Sequence, residues 1–546
     1  MGSLKIKNSA LAHVTPESVG VKSEVLADFI RELNEKQLGV HSFTVVRHDK
    51  VCAQCFWAPY GPDSPHTLYS VSKSFTSTAV GFAVDEGLIG LDDPVYTYFP
   101  ECNKYFVGSR IRNVYNRSLT VRMLLTMRSG KMISSAEGKN GKNWIKDFFK
   151  ASFMMPPDTK FKYCSENTFI LSALIKRVTG KSTVDYLDEK MFRPLDIEKP
   201  FWQTDGEGNN AGGWGLYMKS EDLAKFFLPY LHGGKYKGEQ LIPAAWVEQA
   251  TAKQTETVRD GVLDNMCGYG FQFWRNPMPN SFRAEGLFGQ RCVMFPEYDA
   301  LVVLNSGRSK DYDIMEVFWK YFPQCFEHDA FPENETAYRD LLDTAAACQM
   351  EDLPAAPRNA GFEQYLGSKT LHAKTTSRTS VMPVAVSMWS YEKCGKISDM
   401  QFDFDEKGVQ FTWRECDGVH TLFAGMNGDF GISEVAHGRE KYHTYAKAAW
   451  TDGNRLQLWI RFIETAHVKK LTFVFSDNSV RILNMSDPKF EELPVFYLVF
   501  SGVDVRRFGE KVIEGAVRDV GMLFLEPDFS AKLKNRKESL LELSRL

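Results

Sequence analysis

Charge of one sign is the first thing this chain lacks. Its 66 Lys and Arg stand against 69 Asp and Glu, a formal net charge of -3 with the signs interspersed. With no basic stripe there is no electrostatic footprint for a phosphate backbone and no polybasic membrane anchor, so neither nucleic acid nor membrane is expected as a partner. Long hydrophobic runs are also missing. The longest aromatic-aliphatic stretch, Leu493 to Phe500, is far short of the roughly 20 residues a membrane span needs and reads as a buried strand. The opening MGSLKIKNSALAHVTPESVG has neither a continuous apolar segment nor a small-residue cleavage site, and Ile6 breaks the myristoylation pattern, so a cytoplasmic location is expected. The ten cysteines are scattered singly apart from Cys52-Ala53-Gln54-Cys55. That pair reads as part of a strand, where residues three apart face opposite sides, and it has no second Cys-x-x-Cys or His-x-x-x-His partner. Unpaired thiols and no metal are therefore expected. A Gly-x-Ser-x-Gly elbow is absent, and the 11 histidines form no recognisable Ser-His-Asp arrangement. His66 reads as a loop residue.

What is present is ample core material: 43% hydrophobic residues, with 40 Phe and 11 Trp, in a chain of 546 residues. That length supports several cores. Residues 1–326 alternate strand-like segments (Ser42 to Arg47, Val51 to Trp57, Gly268 to Trp274, Gly289 to Phe295, Ala300 to Leu304) with helical ones, the pattern of an α+β domain whose late strands pair with the early ones. A helix opening at Ser70 stops at Gly87, and another over Asn167 to Thr179 stops at Gly180. Residues 327–360 read as a helix from Glu335 to Gln349 followed by the stiff linker Leu353-Pro354-Ala355-Ala356-Pro357. From 361 to 510 the apolar period changes to two, as in Met400 to Phe404, Val409 to Trp413, Leu456 to Phe462 and Leu471 to Phe475. Turn chemistry at Asp405 to Gly408, Asp452 to Asn454 and Ser476 to Asn478 marks this as a separate antiparallel β domain. Residues 511–546 look helical and charged.

Ser70-Val71-Ser72-Lys73 places a hydroxyl and an amine one helical turn apart, on one face, where a buried helix begins. A serine hydroxyl becomes nucleophilic when a nearby base takes its proton, and burial lowers a lysine pKa toward that task. The helix start also favours developing negative charge. The same residues would serve as a plain helix-opening turn with solvated Ser and Lys. Roughly two such patterns arise by chance in a chain this long. The other two here, Ser390 to Lys393 and Ser486 to Lys489, are not followed by an apolar helix.

The run from Leu68 to Val95 resembles the first motif of the serine β-lactamase and penicillin-recognising hydrolase superfamily, in its class C and esterase branch. Leu119 to Gly130 is similar to its next landmark, a short helix leading to a Ser-Gly turn. Phe161-Lys162-Tyr163-Cys164-Ser165-Glu166-Asn167 is similar to its tyrosine motif, and Ala284-Glu285-Gly286-Leu287-Phe288-Gly289-Gln290 to its third motif, where the family has Lys-Thr-Gly or His-x-Gly. The order of motifs matches, and Ser182 to Leu187 and Met191 to Leu195 add similar flanks. The resemblance implies Ser70 as nucleophile, with Lys73 and Tyr163 as the pair that moves its proton. Ser165 and Asn167 would hydrogen-bond Lys73 or substrate. Gly286, with Glu285 beside it, would let substrate approach the backbone, and the Leu287 amide would be the second oxyanion donor. Glu166 is an alternative base, with helix capping as its plainer account. Ala284 stands where the family has a cation, which counts against β-lactam or D-Ala-D-Ala recognition; Arg283 and Arg291 read as surface arginines. Ser476-Asp477-Asn478 spells a penicillin-binding motif but falls after the third motif, in the β domain.

The expectation is therefore an α+β β-lactamase-like domain followed by an antiparallel, barrel-like β domain. The latter resembles the lipocalin-like barrels appended to some members, whose mouth could take an apolar ligand. The implied activity is a serine hydrolase acting on small esters or amides, including short oligoamides of the kind cleaved by 6-aminohexanoate-dimer hydrolases, without metal or organic cofactor. A β-lactamase or D-Ala-D-Ala peptidase, and a non-catalytic ligand-binding protein that keeps the fold, are the alternatives. Oligomeric state is left open.

Overall fold

Val40–Arg47 is buried at every position, as a strand covered on both faces must be. It is the second strand of a seven-stranded sheet in the computed structural model, which describes residues 11–106, 109–131, 143–257, 263–310, 312–377, 379–383, 386, 394–489 and 526–543. The strands are β1 (Ala12–His13), β2 (Val40–Arg47), β3 (Lys50–Phe56), β4 (Trp274–Arg275), β5 (Phe282–Gly286), β6 (Gln290–Phe295) and β7 (Ala300–Ser306). They lie in the order β1-β3-β2-β7-β6-β5-β4. The expected closure of late on early strands is met by β7 pairing antiparallel with β2, Leu301 opposite Val46 and Val303 opposite Thr44.

Helix α1 (Ser23–Glu35) buries Leu26, Phe29, Ile30 and Leu33. Phe29 meets Phe43 of β2 edge-on at 5.6 Å and Phe322 at 5.3 Å. Helices α2 (Ser72–Asp85) and α3 (Ser165–Thr179) are buried along almost their whole length. They stop where expected, at Gly87 and Gly180, both with positive φ. Gly268 to Trp274, expected as a strand, is instead mostly a loop: Gly268 (φ 101°) and Gln272 (φ 67°) leave the extended region, and only Trp274–Arg275 joins the sheet.

The chain divides into two units after Gln349. Helix α4 (Glu335–Ala346), expected within a connecting segment, belongs to the first unit, where Arg31 of α1 forks both oxygens of Asp340 at 2.5 Å. Residues 353–357 have no regular structure, as their prolines imply.

In the second unit a short helix, α5 (Ala360–Gly367), precedes ten strands: β8 (Lys369–Ala373), β9 (Asp399–Phe404), β10 (Gly408–Glu415), β11 (Gly418–Gly425), β12 (Gly431–His437), β13 (Glu440–Asp452), β14 (Arg455–Phe462), β15 (Val468–Phe475), β16 (Ser479–Asp487) and β17 (Phe529–Asn535). Nine of them form a ring, β11-β10-β9-β8-β17-β16-β15-β14-β13, closed by the pairing of Gly425 with Lys447, while β12 hairpins onto β13. Phe402, Phe411, Trp413 and Phe473 are completely buried within it, with Phe402 5.1 Å from both Phe411 and Phe473.

Of the tail expected as helical, residues 511–525 lie outside the described residues, Leu540–Leu543 is helical, and Phe529–Asn535 is instead strand β17. Ala531 and Leu533 face inward while Ser530, Lys532 and Lys534 face out, a period of two that the dense lysines disguise as a charged helix. Leu493 to Phe500 lies outside the described residues. Ser476 to Asn478 forms the turn between β15 and β16, with the Ser476 amide donating to the Ser479 carbonyl at 2.8 Å.

Candidate active site

Ser70 sits in a single helical turn, Tyr69–Val71, that leads directly into α2. Lys73 is 1% exposed, and its Nζ donates to Ser70 Oγ at 2.8 Å, Ser165 Oγ at 3.1 Å and the Gly213 carbonyl at 2.7 Å. The same nitrogen lies over the Tyr163 ring, 4.9 Å from its centroid. Four residues that resembled family positions, Ser70, Lys73, Tyr163 and Ser165, thus meet at one amine. Tyr163 is held by aromatic packing: Trp274 stacks on it at 5.9 Å and Tyr269 meets it edge-on at 6.4 Å.

Backbone strain flanks the serine. Tyr69 has φ 43° and Phe288 has φ 63°, conformations that cost a non-glycine residue about 1–2 kcal/mol. The two rings pack edge-on at 5.4 Å, so each helps hold the other in place. One adjoins Ser70 and the other adjoins Leu287, whose amides are the two candidate oxyanion donors. Gly286 brings these segments together. A Cβ added there would lie 2.3 Å from the Leu68 carbonyl oxygen and 3.1 Å from the Ser70 amide nitrogen. The close approach its missing side chain permits is therefore that of the Ser70 turn to β5, where the sequence suggested that of a substrate.

Other expected residues are placed elsewhere. Asn167 is fully buried, with its amide group donating to Met127 Sδ at 3.6 Å, and is not among the hydrogen-bond partners given above for Lys73. Glu285 is clamped between Arg283 (Nη2 to Oε2 2.6 Å) and Arg291 (Nη2 to Oε1 2.7 Å). Burial raises its carboxyl pKa, but the two guanidinium groups more than offset this and leave it lowered. Arg283 and Arg291 are 0% and 2% exposed, not surface arginines, because β5 and β6 carry them inward to that carboxylate. Glu166 is 1% exposed and its charge acts on Lys131. His66 is buried in a two-residue strand paired with Met218. Its Nδ1 must donate to the Thr67 carbonyl at 2.9 Å, which leaves Nε2 to accept from His41 Nδ1 at 3.0 Å. Burial pushes its pKa down to about 4, which makes it a weak base.

Residues 26–316 match the Beta-lactamase family model. The chain belongs to the beta-lactamase family. It is 26% identical over 313 residues to a 6-aminohexanoate-dimer hydrolase from Paenarthrobacter ureafaciens, covering 54% of this chain and 79% of that one. Among solved structures, a penicillin-binding protein homologue from Caulobacter crescentus aligns at 16% identity and TM-score 0.44, covering 54% of this chain and 98% of its own. EstCE1, a hydrolase with promiscuous acyltransferase activity, aligns at 16% identity and TM-score 0.45, covering 55% of this chain and 99% of its own.

Within this beta-lactamase-family unit the sequence reading missed two loops. Gly213 supplies the carbonyl that holds Lys73, and a Cβ there would sit 2.7 Å from the Ser165 carbonyl oxygen. The signal was Ala211-Gly212-Gly213-Trp214-Gly215, a glycine cluster between regular elements. Gln272 accepts from Thr168 of α3 at 2.6 Å, donates to the Leu125 carbonyl at 2.6 Å, and receives Ser74 of α2 on its own carbonyl at 2.7 Å. It ties together the elements that carry Ser70 and Tyr163. Among the described residues no cluster of His, Cys, Asp and Glu could hold a metal ion, and no helix is long and apolar enough to cross a membrane.

Proposed function

We propose that this protein is a serine hydrolase of small esters and amides that forms an acyl-enzyme on Ser70. The observation that carries the reading is the buried 2.8 Å contact between Lys73 Nζ and Ser70 Oγ, with the same amine set over the Tyr163 ring. The hydrogen-bond inventory gives the amine a way to act as a base. A carbonyl can only accept, so Gly213 always takes one N–H, whereas the Ser165 hydroxyl accepts or donates as needed. In neutral form Lys73 donates to these two and turns its lone pair to Ser70.

Ser70 then passes its proton to Lys73 as its oxygen bonds to the substrate carbonyl carbon, and the Ser70 and Leu287 amides take the oxyanion. Collapse breaks the bond to the leaving group, which receives a proton through Tyr163 as Lys73 resupplies it. Water cleaves the acyl-serine by the reverse proton route. Ala284 leaves the third-motif position without a cation, and Arg283 and Arg291 are both engaged by Glu285. This favours simple esters and linear amides over β-lactams, in keeping with the class of reaction named for the 6-aminohexanoate-dimer hydrolase relative.

A fluorophosphonate probe tests the reading. Labelling of the Ser70 peptide in the wild type, with p-nitrophenyl butyrate hydrolysis lost in Ser70→Ala, supports it. An unlabelled, well-folded protein, or hydrolysis unchanged in Ser70→Ala, refutes it.

A further inference from the structure

Tyr163 stands in irregular backbone between Phe161 and α3, so neither a ladder nor a helix fixes its ring. A column of packed side chains does. Trp274 of the edge strand β4 stacks on it with the rings 20° from parallel, and Trp274 is itself met edge-on by Tyr269 at 4.9 Å. Directly opposite Trp274 in the β4–β5 pair is Arg283, whose guanidinium carbon lies 5.6 Å from the indole centroid. Arg283 is fully buried, and every N–H of its guanidinium has an acceptor. Nε donates to Glu285 Oε2 at 2.8 Å, Nη1 to the Arg275 carbonyl at 3.1 Å and Asn276 Oδ1 at 3.0 Å, and Nη2 to the Asp264 carbonyl at 3.2 Å and Glu285 Oε2 at 2.6 Å. Glu285 is held in turn by Arg291 of β6. A guanidinium with all its donors engaged is locked against rotation, so the sheet fixes the plane against which Trp274 lies.

Resting on the hydrolase reading above, we propose that Arg283 is a positioning residue for Tyr163 and acts through Trp274 on one step, protonation of the leaving group. In that step the Tyr163 hydroxyl proton passes to the departing oxygen as its bond to the acyl carbon breaks, and Lys73 returns to Tyr163 the proton it took from Ser70. Transfer between fixed groups is sensitive to small misplacements, about 1 Å being enough to cost roughly 10²-fold. Ser70 and Lys73 are carried by α2 and its opening turn, whereas Tyr163 depends on the column. Loosening Arg283 therefore impairs the acid while leaving the nucleophile and its amine in place.

The leaving group supplies the test. p-Nitrophenyl butyrate and ethyl butyrate give the same butyryl-Ser70, but p-nitrophenolate departs without a proton whereas ethoxide needs one. Tyr163→Phe sets the scale: its kcat/KM should fall about 10²-fold further on the ethyl ester than on the activated one. Arg283→Lys keeps the charge but loses the planar fork, and Trp274→Leu removes the stacking face. Each should shift the ratio of the two kcat/KM values in the same direction by about tenfold, and Trp274→Phe should restore most of it. In the Tyr163→Phe background neither should shift it further. Melting curves identify the folded variants, and Glu285→Gln, which weakens the clamp at constant shape, takes the place of Arg283→Lys if that variant does not fold. Equal losses on the two esters in a folded clamp variant or in Trp274→Leu, a wild type as selective as Tyr163→Phe, or a further shift in the double variants would overturn the assignment. The hydrolase reading falls separately, on p-nitrophenyl butyrate hydrolysis that persists in Ser70→Ala.

Discussion

Helix α2 and the interior of the barrel are buried to the same degree but solve different problems. The barrel satisfies its backbone through strand ladders, and Phe402, Phe411, Trp413 and Phe473 are buried inside it. Helix α2 is wrapped partly by irregular loops whose carbonyls have no ladder to join. Its hydroxyls supply the missing donors: Ser74 to the Gln272 carbonyl at 2.7 Å, Ser77 to Phe271 at 2.6 Å and Thr76 to Gly212 at 3.0 Å. A site built on close loop backbone thus calls for a serine- and threonine-rich buried helix, and the run from Ser72 to Thr78 is that requirement written in sequence.

The sharpest test of this difference separates chemistry from stability. Ser70→Ala should lower kcat for p-nitrophenyl butyrate by at least about 10³-fold. Its unfolding free energy should change by less than about 1 kcal/mol, because Lys73 keeps Ser165 and Gly213 as partners. A variant that unfolds would show Ser70 to be as structural as the barrel aromatics. Trp413→Ala is the converse. It removes a fully buried ring and the Nε1 donor to Glu415 at 3.1 Å, and should destabilise the second unit by about 3–5 kcal/mol in a urea titration. A loss below about 1 kcal/mol would mean the barrel is not packed as described.

Periodicity made four strands legible, Asp399–Phe404, Gly408–Glu415, Arg455–Phe462 and Val468–Phe475, since side chains that alternate in a ladder alternate in sequence. The resemblance of the ordered motifs to those of the family pointed to Ser70, Lys73 and Tyr163, which the fold brings to one place. Close approaches of backbone to backbone leave no such trace. Gly213, Tyr69 and Phe288 owe their roles to distant carbonyls and to φ values, and Gly286 was noted for the right reason but the wrong neighbour. Arg283 and Arg291 looked exposed because their shared carboxylate, Glu285, is visible as a partner only once β5 and β6 are paired. Gly286→Ala tests the contact that sequence could not show. A methyl 2.3 Å from the Leu68 oxygen must push the Ser70 turn away from β5. The expected result is a loss of about 2 kcal/mol in stability and on the order of 10² in kcat, and unchanged kcat would remove Gly286 from the account of the site.

The last test falls on Lys131, a buried lysine that the proposed chemistry does not use. It is 0% exposed, donates to Asn116 Oδ1 at 2.8 Å and the Ala151 carbonyl at 3.1 Å, and lies over the Phe153 ring at 4.1 Å. Burial pushes its pKa down to about 7 from 10.5, against the opposing pull of Cys164 and Glu166. Below about pH 7 folded and unfolded chains both hold the proton, and the buried charge weighs on the fold in full. Between about 7 and 10.5 the folded chain has released a proton that the unfolded chain keeps, so stability rises with pH by at most about 1.4 kcal/mol per unit. Lys131→Met abolishes the titration. The wild-type stability minus that of the variant, from urea titrations between pH 6 and pH 10, should therefore be flat near pH 6 and climb above about pH 7, still rising at pH 10. Parallel profiles would mean that Glu166 holds Lys131 charged throughout, as a buried ion pair of the kind Lys469 makes with Glu526 in the second unit at 2.6 Å.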